Sequence, residues 1–333
     1  MKVAMVIPPY RYGADPSQWI TVPPQGYGGI QWAVATLMDG LLEAGREILL
    51  LGAPGSPMRE GITVSAAVEK ADIHAAIEEF APDIVHDHSN TAALPPGGLR
   101  PTVSTHHLKG VPERRTNGIY LSRAQRTAAG SVSAPVIRLP VNPARYQFEE
   151  KKDDYLLFLG RVSAHKGVRE AAVFAHAADV PLTVAGPAWE KDYLDALLAD
   201  FPHTVRYIGE VGGRARTELI ARARAQLVLS QPRGGPFGER WIEPGATVVS
   251  EAAASGTPVI ASDNGCLPEI VPGVGIVLPV GRDITPRDAK RVLETLPTPQ
   301  AVREVAVERW GHRTIACEYL AVYKRATSGE VWM

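Results

Sequence analysis

Short apolar runs of Val, Ile and Leu alternate with longer segments of helical period along most of this chain, and few folds accommodate that alternation. In the second half the order is regular. Strands are expected at Tyr155–Leu159, Leu182–Ala185, Val205–Ile208, Leu227–Leu229 and Pro258–Ala261, with helices at Gly167–Ala178, Asp192–Ala199, Thr217–Ala223 and about Ala246–Ala254. This is the pattern of parallel strands joined by crossover helices, so the class is α/β. The first half reads the same way. Val3–Ile7 is a buried first strand, and Ile30, Val34, Leu37 and Leu41 then mark one face of a helix. Strands follow at Ile48–Leu51, Ile62–Ser65, Asp83–His86 and Pro101–Thr105, with a helix at Ala71–Phe80.

The 333 residues suffice for two such domains. Residues 147–154 are polar, alternate in charge and bury nothing, which suggests a linker between an N-terminal domain at 1–146 and a second domain at 155–305. The tail places Val305, Trp310, Ile315, Tyr319 and Tyr323 on a long helix or a pair of helices. Formal net charge is -1, so no broad surface for nucleic acid is implied. Two cysteines fit a reducing compartment, and the opening apolar run stops at Pro8-Pro9, too short for a membrane span. A soluble, cytoplasmic protein is expected.

Three stretches carry candidate chemistry. Gly28-Gly29 precedes the first helix, where free backbone N–H groups and the helix dipole favour an anion, although a tight turn explains the glycines equally well. Gly160-Arg161 and Lys166-Gly167 follow a strand of the second domain, at the sheet edge where α/β folds bind ligands. Two fixed cations beside glycines suit a diphosphate, and a solvated basic loop is the plainer reading. Glu243 stands just before a helix that Pro244 starts, and Glu251 lies about two turns further in. Glu243 alone reads as a helix cap, whereas a carboxylate inside the small apolar helix at Glu251 needs a partner.

Together the Gly-Arg-x-x-x-x-Lys-Gly segment, Glu243 and Glu251 at their spacing, the run Glu251-Ala252-x-Ala254-x-Gly256-Thr257-Pro258-Val259, and Pro268-Glu269-Ile270-Val271 resemble the retaining nucleotide-sugar glycosyltransferases of family 4. Pro23 to Trp32 and Glu243 to Glu251 resemble the branch found in orthosomycin, avilamycin-type antibiotic pathways. The resemblance implies the GT-B fold: two Rossmann-like domains facing across a cleft, with residues 306–333 as a helix crossing back to the first domain. It implies a glycosyltransferase that moves a sugar from a nucleotide-diphosphate donor to a small-molecule or oligosaccharide hydroxyl, retaining configuration. Arg161 and Lys166 would hold the diphosphate, Glu251 the ribose, Glu243 the transferred sugar, and His106 that sugar from the first domain. Gly28, Gly29, Gly160, Gly186, Gly245, Ala246 and Thr247 would complete the donor site. An epimerase, a hydrolase or a non-catalytic nucleotide-sugar binder would use the same residues. Two departures stand out: Leu139-Pro140-Val141-Asn142 replaces the usual Asn-Gly-Val-Asp, and Gly265-Cys266-Leu267 replaces Gly-Gly before Pro-Glu.

His86, His88, His106 and His107 raise the question of a metal. Each pair ends a strand, and neither cysteine lies near, so satisfied or substrate-facing histidines are expected instead. No Asp-x-Asp follows a strand to bridge a divalent ion to the diphosphate, so neither metal nor cofactor is expected and Arg161 and Lys166 supply the charge.

Overall fold

In the computed structural model the first apolar run forms β1 (Lys2–Val6), followed by α1 (Gly29–Glu43), β2 (Glu47–Leu51), β3 (Ile62–Val64), α2 (Lys70–Phe80), β4 (Ile84–Asp87), β5 (Thr102–His106), β6 (Gly118–Tyr120) and α3 (Arg123–Ala128). The second half forms β7 (Leu156–Leu159), α4 (Val168–Ala178), β8 (Leu182–Ala185), α5 (Lys191–Asp200), β9 (Val205–Tyr207), α6 (Gly213–Arg222) and β10 (Ala225–Val228). It continues with α7 (Thr247–Ala254), β11 (Val259–Ser262), α8 (Leu267–Ile270), β12 (Gly275–Leu278), α9 (Pro286–Glu294), α10 (Pro299–Trp310) and α11 (His312–Thr327). The structure describes residues 1–13, 15–89, 93–94, 100–107, 116–235 and 240–333. They divide into unit 1, Met1–Pro140 with His312–Met333, and unit 2, Val141–Gly311.

Each unit holds one six-stranded parallel sheet, ordered β3-β2-β1-β4-β5-β6 in unit 1 and β9-β8-β7-β10-β11-β12 in unit 2. Helices cover both faces of such a sheet, which is why its central strands are continuous apolar runs. Val3–Val6 and Val259–Ile260 are fully buried. The order reverses between β1 and β4, and between β7 and β10. These two switch points open crevices at the carboxyl ends of the strands.

In unit 1, Leu37, Met38 and Leu41 of α1 and Ile315, Tyr319 and Tyr323 of α11 share one core with Val3 and Met5 of β1. In unit 2, Phe174 and Ala175 of α4 pack with Leu156, Leu182 and Val184 on one face. Val302, Ala306 and Trp310 of α10 pack with Ala252 and Ala253 of α7 on the other.

Residues 147–154, expected as a linker, belong to unit 2. Lys152 Nζ donates to Ala221 O, Ser255 O and Thr257 Oγ1, and Asp153 and Asp154 pair with Arg222 and Arg224. The charges of this stretch are held by unit 2, with Lys152 half-buried among its acceptors, and the division falls earlier, after Pro140. The tail, expected as a long helix or a pair of helices, is a pair, and 306–333 holds the end of the first and the whole of the second. Gly311 separates α10, which stays in unit 2, from α11, which returns to unit 1. The sequence reading also lacks β6, β12, α3, α8 and α9.

Candidate active site

The β7–α4 connection is folded onto the end of β10. Gly167 has a φ of 73°, and a Cβ there would lie 1.8 Å from Leu229 O, so only glycine allows this approach. Ser230 Oγ and the Gln231 amide both donate to His165 O, at 3.2 and 2.9 Å. On the other side of β7, Gly186 has a φ of 138°, and a Cβ there would lie 2.0 Å from Gly160 O. Gly160 and Gly186 therefore draw the ends of β7 and β8 together. Arg161 and Lys166 consequently leave the sheet at its switch point, as the sequence predicts.

The expected site residues fall into two charged clusters. In the first, Lys166 Nζ donates to both oxygens of Glu243, at 3.0 and 2.8 Å, and Trp241 Nε1 donates to Glu243 Oε2 at 3.0 Å. Burial alone would raise the Glu243 carboxyl. The Lys166 charge beside it, with hydrogen bonds from Lys166, Trp241 and Ser230, holds it below its ordinary range instead. Glu243 is thus a buried, ionised carboxylate. Lys166 lies over the Trp241 ring, 4.7 Å from its centroid, and His165 meets the same ring edge-on at 4.9 Å. Burial, then the charges of Lys166 and Arg161, lowers His165 to about 4, so its imidazole is neutral near pH 7. Gly265 and Cys266 close the cluster from behind. The Cys266 amide donates to Glu243 O at 2.8 Å, and Gly265 packs against the Glu243 backbone.

In the second cluster Glu251, on α7, accepts from Tyr146 Oη at 3.0 Å and from Arg216 Nη2 at 2.5 Å. This supplies the partner that a carboxylate on a packed helix requires. Burial would lower Arg216, but the Glu251 charge, together with Tyr146 and the hydrogen bonds to both, outweighs it and raises the guanidinium above its usual value. Burial and the same charge raise the Tyr146 hydroxyl. Glu243 and Glu251 therefore have separate partners, and nothing bonds one cluster to the other among the described residues. Gly245 is buried and Ala246 and Thr247 half-buried where α7 begins. Ala246 takes a left-handed conformation, φ 43°, to start the helix.

Arg161 stands apart from both clusters. Its guanidinium carbon lies 4.1 Å above the Trp189 ring. Among the described residues no carboxylate pairs with it, and its buried Nε–H has no acceptor.

His106, Gly28 and Gly29 lie in unit 1. Gly28 caps α1 without a side-chain bond, and Gly29 is its first residue. His106 is buried and stacks on Tyr120 at 4.8 Å. Beside it runs a chain of neutral hydrogen bonds: Tyr323 Oη to His86 Nδ1 at 2.6 Å, His86 Nε2 to Thr105 Oγ1 at 2.7 Å, and Thr105 Oγ1 to Tyr319 Oη at 3.2 Å. His88 Nδ1 lies 2.8 Å from His107 Nε2. Burial, reinforced by neighbouring histidines, lowers His86, His88 and His107, the last to about 3. Among the described residues no group of three or more His, Cys, Asp or Glu is arranged to hold a metal ion. Nor is any described helix long and apolar enough to cross a membrane.

Trp241, Trp189, Arg216 and Tyr146 are absent from the sequence reading. A tryptophan two residues before Glu243 was a readable signal; the other three are brought in by the fold alone.

The family model for glycosyl transferases group 1 matches residues 144–284, which carry both charged clusters and Arg161. The crystal structure of AviGT4, a glycosyltransferase involved in avilamycin A biosynthesis, is 51% identical and superposes with a TM-score of 0.93, covering 100% of this chain and 99% of its own. Anabaena HepE, solved with UDP and glucose, shares the fold at 17% identity, with a TM-score of 0.66 over 97% of this chain and 99% of its own. A glycogen synthase of Mycobacterium tuberculosis is 26% identical over 307 residues, 75% of this chain and 70% of that protein. A relative at half identity along the whole chain, and a family model seated on the unit with the charged sheet edge, establish that the chain belongs to the group 1 glycosyltransferases and carries the two parallel sheets of the GT-B fold.

Proposed function

We propose that this glycosyltransferase takes its sugar from a nucleotide-diphosphate donor held at the carboxyl edge of unit 2, and passes it with retention to a hydroxyl acceptor in natural-product biosynthesis. The observation that carries the reading is the β7–β10 switch point. There Arg161, with no carboxylate partner among the described residues, and the Lys166–Glu243 pair meet the start of α7. Departure of a nucleoside diphosphate builds negative charge, and cations fixed beforehand stabilise it without reorganising. Arg161 takes the diphosphate directly. Lys166 shares its charge between Glu243 and the leaving group, and the amides near Gly245, Ala246 and Thr247, with Gly160 and Gly186, line the anion site. Glu243, ionised and oriented by Trp241, accepts from hydroxyls of the transferred sugar. Glu251 keeps lone pairs for ribose hydroxyls beyond those that Tyr146 and Arg216 occupy. His106, Gly28 and Gly29 contact the donor's sugar and phosphate, as the resemblance assigns them. Glycosyl transfer passes through an oxocarbenium-like state. A diphosphate oxygen then receives the acceptor's proton on the face from which it leaves, and no enzyme nucleophile is needed.

In this reading no divalent metal and no cofactor take part. The likeness to AviGT4 supports a place in natural-product biosynthesis, with a small-molecule or oligosaccharide acceptor, and that to HepE makes UDP the first nucleotide to test. Thermal stabilisation by nucleoside diphosphates and their sugars identifies the donor. Turnover is then measured in excess EDTA, and the product's anomeric coupling is read by NMR. Full activity with a retained configuration is expected. Activity restored only by magnesium or manganese, an inverted product, or donor consumption without acceptor each overturns part of the proposal.

A further inference from the structure

The two cations at the unit 2 edge are held by different means. Lys166 is fixed by a carboxylate, and that contact spends part of its charge on Glu243. Among the described residues no hydrogen bond or ion pair holds the Arg161 side chain, and its Nε–H is buried without an acceptor. What does hold it is a ring: the guanidinium carbon lies over Trp189, four residues beyond β8, 4.1 Å from the ring centroid. Trp189 is 60% exposed, far more than a tryptophan retained for core packing. An aromatic face attracts a guanidinium without neutralising it, and engages only the face of the planar fork. Among the described residues none of its N–H donors is taken by a protein acceptor, which leaves the fork free to meet a phosphate bidentately. A carboxylate in the same place would have consumed those donors.

We propose that Trp189 is a positioning residue for Arg161: its indole face sets the plane of the guanidinium and leaves both its charge and its donors to the diphosphate of the donor substrate. This rests on the reading of Arg161 as a diphosphate anchor. The probe that isolates it is inorganic pyrophosphate, which carries the diphosphate without base or sugar. Binding to the full chain is measured by calorimetry for the wild type, Trp189→Ala, Trp189→Phe, Arg161→Ala and the double variant Trp189→Ala/Arg161→Ala, with a thermal midpoint for each. The expected result is about five-fold weaker binding for Trp189→Ala, most of it restored in Trp189→Phe, with unchanged midpoints. In the Arg161→Ala background, removing Trp189 costs nothing further. Wild-type affinity in Trp189→Ala, or an equal loss with and without Arg161, overturns the proposal. If the wild type does not bind pyrophosphate, or Arg161→Ala binds as wild type, the anchor reading falls and takes this proposal with it. If Arg161→Ala weakens binding while Trp189→Ala does not, this proposal alone fails.

Discussion

At the carboxyl ends of β7 and β10 the chain sets Arg161, Lys166 and Glu243, whereas at the ends of β4 and β5 it sets four buried histidines, of which His86 meets Tyr319 and Tyr323. Both edges belong to sheets of the same strand order. In unit 2 a buried carboxylate is kept ionised by a neighbouring ammonium. In unit 1 burial suppresses charge, and the groups satisfy one another through neutral hydrogen bonds. The shared topology therefore fixes where polar groups collect, and the residue types decide whether that place presents charge. Of the two, the unit 2 edge is the one that presents side-chain cations.

The contrast is broken most forcefully at Lys166. Lys166→Met leaves Glu243 buried without its counter-charge, which costs ~3 kcal/mol of stability in urea denaturation, whereas Arg161→Ala changes stability by less than ~0.5 kcal/mol. If these cations serve the departing diphosphate as proposed, both variants lower kcat, Arg161→Ala by about a hundred-fold. Equal stabilities for the two variants would show that the Lys166–Glu243 contact is not a buried pair.

Acid sharpens the comparison from the other side. The folded protein holds His107 at about 3, against an ordinary value of 6.5. Below about pH 6.5 the unfolded chain therefore binds a proton that the folded one refuses. Stability from this group is complete above about pH 6.5 and falls toward pH 3, with ~2 kcal/mol lost by about pH 5. His86 and His88 shift in the same direction and steepen the loss. Denaturation midpoints at about pH 7.5 and pH 5 should differ by this amount, and His107→Gln should flatten the slope. An unchanged slope in that variant would mean that His107 is protonated in the native state.

The smallest effect is expected at the start of α7, where Ala246→Gly relieves a left-handed alanine and raises stability by ~1 kcal/mol. A lower thermal midpoint would show that the alanine methyl contributes more through packing than its backbone conformation costs.

The βα alternation was legible wherever strands were four or more apolar residues bounded by turns, as at β1, β7, β8 and β11. Three-residue β6 and β12, which begins at Gly275, offer no such run. Helix α9 did have a readable start: Thr285 accepts from the Asp288 amide, and Pro286 occupies the first turn. At the edge of unit 2, glycine spacing and charge located Arg161, Lys166, Glu243 and Glu251. Their partners were not legible, because pairing there follows strand order. Lys166 meets Glu243 across 77 residues only because β7 and β10 are neighbours in the sheet. Arg216, in a polar helix, reads as a surface residue until α6 is laid against α7.

The division of unit 1 into Met1–Pro140 and His312–Met333 also governs the order in which the molecule is made. Helix α11 supplies Ile315, Tyr319 and Tyr323 to the core of unit 1, and Tyr323 is the partner of His86. At ~5–20 residues per second, the ribosome completes that helix on the order of ten to thirty seconds after Pro140 has been added. Unit 2 is synthesised whole within that interval. The domain synthesised first is thus the one finished last, and during that wait it exposes the apolar face that α11 later covers, open to chaperones or to other nascent chains.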